Sequence, residues 1–169
     1  MLHLMQYNRM YAMETVNKSG MLALQRLLAA DYVAKKVSDI DFEHLREKGI
    51  KAVAIDADRR LLPFLGIKIN EAILDHLLAA QDAGYIEQIV IASNRRRKNL
   101  NDAAKSLDTV VVQANNIFDA KPFAKYYKRL FKQINYEPHE TIMIGDKLFT
   151  DIVGGNLYGM PTLRVNKIR

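Results

Sequence analysis

Five short apolar runs rich in β-branched residues recur along this chain: Ile50 to Ile55 (IKAVAI), Gln88 to Ala92 (QIVIA), Thr109 to Gln113 (TVVVQ), Thr141 to Ile144 (TIMI) and Pro161 to Val165 (PTLRV). Runs this short and this apolar suit strands buried on both faces, the condition of a parallel sheet. Stretches of helical character separate them. One covers 70–83, with Asn70 as cap and Gly84 as stop; others cover about 94–107, 121–134 and 150–157. Strands alternating with helices imply right-handed crossovers, so the pattern predicts an α/β fold: a three-layer sandwich around a central parallel sheet of about five strands. In such sheets ligands bind beyond the carboxyl ends of the strands, which makes the residues after each run the functional candidates.

Upstream of the first run, residues 21–30 place large apolar side chains at helical spacing, and this helix is expected to pack on the domain. Asp39 or Asp41 is placed to cap a second helix through Phe42 and Leu45, closed by Gly49. We therefore expect a helical extension over 1–48 and the α/β core over 49–169. The 169 residues hold one such core. The interval from Asp58 to Asn70, and the single helix between the second and third runs, leave no room for a cap domain.

Lys and Arg number 25 against 19 Asp and Glu, a net charge of +6, which points to anionic partners such as phosphates, nucleic acid or acidic membranes. There is no cysteine, so a thiol nucleophile, a disulfide framework and a Cys-based zinc site are excluded. No apolar run approaches the roughly 20 residues that cross a bilayer. The expected location is cytoplasmic, with peripheral contact to an anionic membrane as an option. The first thirty residues carry Met1, Met5, Met10, Met13 and Met21 with Arg9, Lys18 and Arg26 against the single acid Glu14. They do not have the shape of a secretory signal. They read as a frayed or packed helix, or else as an interfacial arm for anionic lipid.

Asp56 and Asp58 follow the first run, Ser93 and Asn94 the second, a loop reaching Lys121 the third, and Gly145-Asp146 the fourth, with Asp151 close behind. Carboxylates converging at one edge repel one another, and Mg²⁺ neutralises them at oxygen-ligand distances. A hydroxyl and a lysine beside them suit a phosphoryl group. A carboxylate there can attack phosphorus while its neighbour two residues on handles protons.

These residues resemble the four motifs of the haloacid dehalogenase (HAD) superfamily: Asp56-Ala57-Asp58, Ser93, Lys121, and Gly145-Asp146-Lys147-Leu148-Phe149-Thr150-Asp151. More narrowly, DYVAKKVSDIDFEHLREKGIKAVAIDAD, IVIASN, AKP and IGDKLFTDIVGGNLYG look like the YqeG-type phosphatases of HAD subfamily IIIA, relatives of the mitochondrial phosphatidylglycerophosphate phosphatases. The resemblance covers about Leu27 to the C-terminus. It implies a Mg²⁺-dependent phosphomonoesterase in which Asp56 forms an aspartyl-phosphate and Asp58 is the general acid and base, its backbone carbonyl a metal ligand. Ser93 would hold a phosphoryl oxygen, Lys121 would balance the transferring charge, and Asp146 would complete the metal site with Asp151 in or near it. Capless members commonly take bulky substrates, so a phosphatidylglycerophosphate-like lipid is the specific expectation.

One departure stands in the first motif. Where the family continues Asn-Thr-Leu, this chain has Arg59-Arg60-Leu61. Arg60 either recruits a polyanionic substrate, points harmlessly outward, or blocks the site and leaves a binding module for an anionic ligand or protein partner. Arg95-Arg96-Arg97-Lys98 is read as the first turn of the helix after the second strand. With Arg59, Arg60 and Lys147 this run makes a positive rim, and Asn94, Arg59, Arg60 and Arg95 are the substrate-binding candidates. No stacking platform accompanies the rim, so RNA ranks below a phosphate or lipid partner. His76, among Leu74, Leu77 and Leu78, reads as a packed histidine, and Tyr126, Tyr127 and Phe131 as residues packed on the sheet. Lys147 reads as a surface residue.

Overall fold

The computed structural model describes residues 20–57, 69–96 and 100–165; Asp58, Arg59, Arg60, Arg97 and Lys98 lie outside them. In chain order the elements are helix α1 (residues 20–28), β1 (Tyr32–Ala34), α2 (Phe42–Glu47), β2 (Ala52–Asp56), α3 (Glu71–Asp82), β3 (Gln88–Ser93), α4 (Leu100–Ser106), β4 (Val110–Gln113), α5 (Ala124–Phe131), β5 (Thr141–Gly145), a π-helical segment (Leu148–Val153), α6 (Gly154–Leu157) and β6 (Thr162–Val165). The six strands form one sheet in the order β1-β6-β5-β2-β3-β4, and every pairing is parallel.

Alternate strand residues feed two cores. Val53, Ile55, Ile89, Ile91, Ile142 and Ile144 meet Phe42, Leu45, Leu77 and Leu100 on one face. Ala52, Ala54, Val90, Ala92 and Met143 meet Tyr126, Tyr127 and Leu130 on the other. The second face carries small side chains on β2 because the two fully buried tyrosines of α5 fill the space opposite them. His76, half-buried, packs against Phe42 with ring centroids 5.2 Å apart and hydrogen-bonds the Ile40 carbonyl at 2.8 Å.

Several elements depart from the sequence pattern. The sheet has a sixth strand, β1, inside the stretch expected to be a helical extension, and Val37, Ile40, Phe42 and Leu45 from the same stretch are buried in the main core. β1 escapes periodicity because it is three residues long and exposes Val33. Helix α1 exposes Met21, Leu22, Leu24 and Leu28 instead of burying them. Its last turn is tied down by Asn156, whose Nδ2 donates to the carbonyls of Arg26, Leu27 and Ala29 at 3.1, 2.9 and 2.8 Å. Asp41, not Asp39, caps α2, accepting from the His44 N–H at 2.9 Å. The helix expected from residue 94 is described only from Leu100, and Asn94 and Arg95 lie in a bend before it. Likewise α5 starts at Ala124, since the residue before Pro122 is driven out of helical conformation and Lys121 therefore sits in the preceding turn.

Candidate active site

β2 is buried along its whole length and ends on Asp56. Its parallel neighbours β3 and β5 bring Ser93 and Asp146 to the same edge, because Asp56 is in register with Ala92, and Ile55 with Ile144. Lys121 comes from the loop between β4 and α5 and is itself buried. Its ammonium lies 2.7 Å from Asp56 Oδ1 and 2.8 Å from Asp151 Oδ1. Three carboxylates, Asp56, Asp146 and Asp151, each bring an oxygen within 4.8 Å of the others.

Burial pushes the Asp56 carboxyl up to about 6, against the pull of Lys121; the Asp151 charge adds to the rise. Burial also works against the Lys121 charge, but Asp151 and then Asp56 more than offset it and hold the ammonium protonated well above the ordinary lysine range. Lys147 adds a second cation, its Nζ 3.9 Å from Asp56 Oδ2. The surface position expected of it is thus a half-exposed position facing the nucleophile candidate.

Asp151 is saturated by the chain around it. Its Oδ2 accepts from the backbone N–H groups of Asp146 and Lys147 at 3.2 and 3.1 Å, and its Oδ1 accepts from Thr150 Oγ1 at 3.1 Å besides meeting Lys121. The π-helical turn over 148–153 swings this carboxylate inward, as wide turns in functional regions often do. Gly145 makes the approach possible: a Cβ there would stand 2.3 Å from Asp151 Oδ2. Beneath the turn, Tyr127 donates from its hydroxyl to the Thr150 carbonyl at 3.1 Å.

Asn94 does something that no local pattern announces. Its Oδ1 accepts from the Lys121 backbone N–H at 2.7 Å and its Nδ2 donates to the Lys121 carbonyl at 3.0 Å, clamping that residue across 27 positions of sequence. Ser93 is buried, and its hydroxyl donates to the Arg95 carbonyl at 2.9 Å while accepting from the Arg95 N–H at 3.1 Å, which closes the bend. Arg95 and Arg96 are exposed beside it. Of the residues singled out from sequence, Asp56, Ser93, Asn94, Arg95, Lys121, Asp146 and Asp151 converge on this edge, whereas Asp58, Arg59 and Arg60 fall outside the described residues. A structural set behind the edge went unread: Asp119 is buried, takes Asn115 Nδ2 at 2.7 Å and pairs with Arg129 at 3.1 Å, fixing the loop that delivers Lys121.

A buried aspartate, a buried lysine and an acidic cluster at the carboxyl edge of a parallel sheet suit phosphoryl transfer, and the chain's relatives give the class: a phosphatase. The chain belongs to the mitochondrial PGP phosphatase family, whose model matches residues 12–167. It is 24% identical over 142 residues to the probable phosphatase YqeG of Bacillus subtilis, covering 84% of this chain and 79% of that one. A shorter stretch of 43 residues is 44% identical to the glyceraldehyde 3-phosphate phosphatase of Pyrococcus furiosus, 25% of this chain and 18% of that one. Among solved structures, an uncharacterized protein from Listeria monocytogenes serotype 4b superposes with a TM-score of 0.55 at 13% identity, over 69% of this chain and 91% of that one.

Proposed function

We propose that this phosphatase hydrolyses a bulky anionic phosphomonoester, of the phosphatidylglycerophosphate type, with Mg²⁺ and through an aspartyl-phosphate on Asp56. The observation that carries the reading is the buried Asp56 carboxylate held at 2.7 Å by the Lys121 ammonium, in one cluster with Asp146 and Asp151. The donor set fits a hard divalent cation, being all carboxylate oxygen. Asp56 and Asp146 would hold it, with the Asp58 carbonyl that the family resemblance adds; Asp151, already taken by Lys121, Thr150 and two backbone N–H groups, would act by positioning both. Bound there, Mg²⁺ supplies charge that offsets the carboxylates and the phosphoryl oxygens.

In the first half-reaction an Asp56 oxygen bonds to phosphorus as the P–O ester bond breaks, and the leaving alkoxide takes a proton from Asp58. In the second, Asp58 removes a proton from water, whose oxygen attacks phosphorus and releases inorganic phosphate and the free Asp56 carboxylate. Lys121 balances charge on the transferring group, which is mostly what phosphoryl transfer requires. Arg59, Arg60 and Arg95 recruit the anionic substrate.

The test compares wild type, D56N and R60T on an aryl phosphate and on phosphatidylglycerophosphate, with and without Mg²⁺. D56N should lose at least about a thousandfold in turnover, and chelation should abolish the wild-type rate. Wild-type turnover no higher than that of D56N on every substrate would overturn the reading.

A further inference from the structure

The edge that carries the carboxylates also carries the exposed phenylalanines of the described residues. Phe118 is 75% exposed, Phe149 67% and Phe123 50%, with Ile117 at 74% between Asn116 and Phe118. Phe118 and Phe123 bracket Lys121, and Phe149 stands two residues before Asp151. Large apolar side chains in water next to a charged site mark a surface that something covers. Among the described residues of segments 94–96, 114–125 and 146–150, the fully exposed charges have one sign: Arg95, Arg96 and Lys125 are exposed and Lys147 is half-exposed, while of the two acids Asp119 is buried on Arg129 and the half-exposed Asp146 belongs to the carboxylate cluster. Aromatic tips interleaved with cations match an anionic lipid interface, where rings enter the headgroup boundary and cations meet the surface potential.

We propose that this rim docks the protein on an anionic membrane with the site edge down, so that the carboxylate cluster faces the headgroups. The proposal deepens the reading above, on whose lipid phosphate substrate it rests. It also assigns docking away from α1. That helix is apolar on its exposed side as well, but its last turn is bound by Asn156 and leads through Asp31 to the amino end of β1, the opposite edge of the sheet. Membrane contact through α1 and through the rim therefore engage opposite edges of the sheet.

The chain contains no tryptophan, so F118W, F149W and L24W each install a single reporter in the full-length protein. Vesicles of phosphatidylcholine doped with phosphatidylserine should shift F118W and F149W emission to the blue and leave L24W unmoved, and pure phosphatidylcholine should do far less. In sedimentation with the doped vesicles, F118S/F149S should bind about tenfold or more weakly than wild type, because two rings no longer leave water. Its hydrolysis of a soluble aryl phosphate should stay within about twofold of wild type, which also shows that it folds. Raised salt should weaken wild-type binding. Rim-dependent vesicle binding without hydrolysis of any lipid phosphate supports the docking surface while defeating the lipid substrate. Failure of wild type to bind doped vesicles, wild-type binding by F118S/F149S, or a blue shift confined to L24W would overturn the proposal.

Discussion

The two edges of this sheet use the same kind of contact to opposite ends. At the amino edge, before β2, β3 and β5, Lys51 meets Glu140 at 2.6 Å, Arg46 meets Glu87, and Tyr136 donates to Glu87 at 2.6 Å. Each acid there has its own cation, and both members reach solvent. At the carboxyl edge of the same three strands, Asp56 and Asp151 share the buried cation Lys121, Asp146 brings a third carboxylate within 4.8 Å of theirs, and Lys147 lies 3.9 Å from Asp56. One edge is a balanced staple in water of high dielectric, where pairing adds little. The other is an excess of negative charge out of water, where each partner matters and an added cation has somewhere to go.

The largest effect should come from removing the shared cation. K121M leaves two buried carboxylates facing each other and should lose about 3–5 kcal/mol in a denaturant titration without metal. Added Mg²⁺ should recover part of that loss. A K121M protein as stable as wild type without metal would mean that the carboxylates are not coupled through this lysine.

A smaller effect should follow from loosening the clamp. N94A removes both hydrogen bonds to the Lys121 backbone and should cost about 1–3 kcal/mol, with turnover falling about tenfold through misplacement of the ammonium. N94D keeps the acceptor and loses the donor, so it should fall between N94A and wild type. If N94A loses substrate affinity alone, at unchanged turnover and stability, Asn94 contacts substrate and does not position Lys121.

The smallest effect belongs to the amino edge. Hydrogen bonds from Tyr136 and then Arg46 hold Glu87 below the usual carboxylate range, and Lys51 followed by the Glu137 backbone does the same for Glu140. A depressed folded pKa means the folded state resists protonation, so this stabilisation is present at neutral pH and fades as pH falls through the depressed value. E87Q and E140Q should change neutral stability barely beyond the error of the titration and flatten the acid limb of a stability-against-pH curve. A steeper acid limb in either variant would reverse that sign.

Much of this was legible in order. The β-branched runs at β2, β3 and β5 are buried on both faces, and burial is what writes a continuous apolar run into a sequence; β4, at the sheet edge, exposes Val110, and β6 exposes Arg164. β1 was not legible, because two half-exposed residues flanking an exposed valine at a sheet edge need no such run. Asp56, Ser93 and Asp146 could be read because they stand at or just past strand ends; Lys121 and Asp151 come from a loop and a helical turn that return to the same edge, and their place in the resembled motifs pointed to them. The Asn94 clamp could not, since its partner is a backbone 27 residues away and a backbone leaves no trace in side-chain identity. Lys147 lies at the surface as read, but its turn toward Asp56 was not legible. A lysine's long stem lets it lie on the surface and still point its ammonium at a buried carboxylate.

The pairing of β1 with β6 has a consequence for synthesis. Asp31, at the start of β1, accepts from the Thr162 N–H at 2.8 Å, a contact spanning 131 positions. β6 also lies between β1 and β5. Of the six strands, the first to leave the ribosome is thus among the last to find its neighbour, and the flank of β5 that β6 covers stays open until residues 162–165 have emerged. A nascent chain stalled before that point carries both an unpaired strand and an uncovered sheet edge, the two features that invite association with other chains.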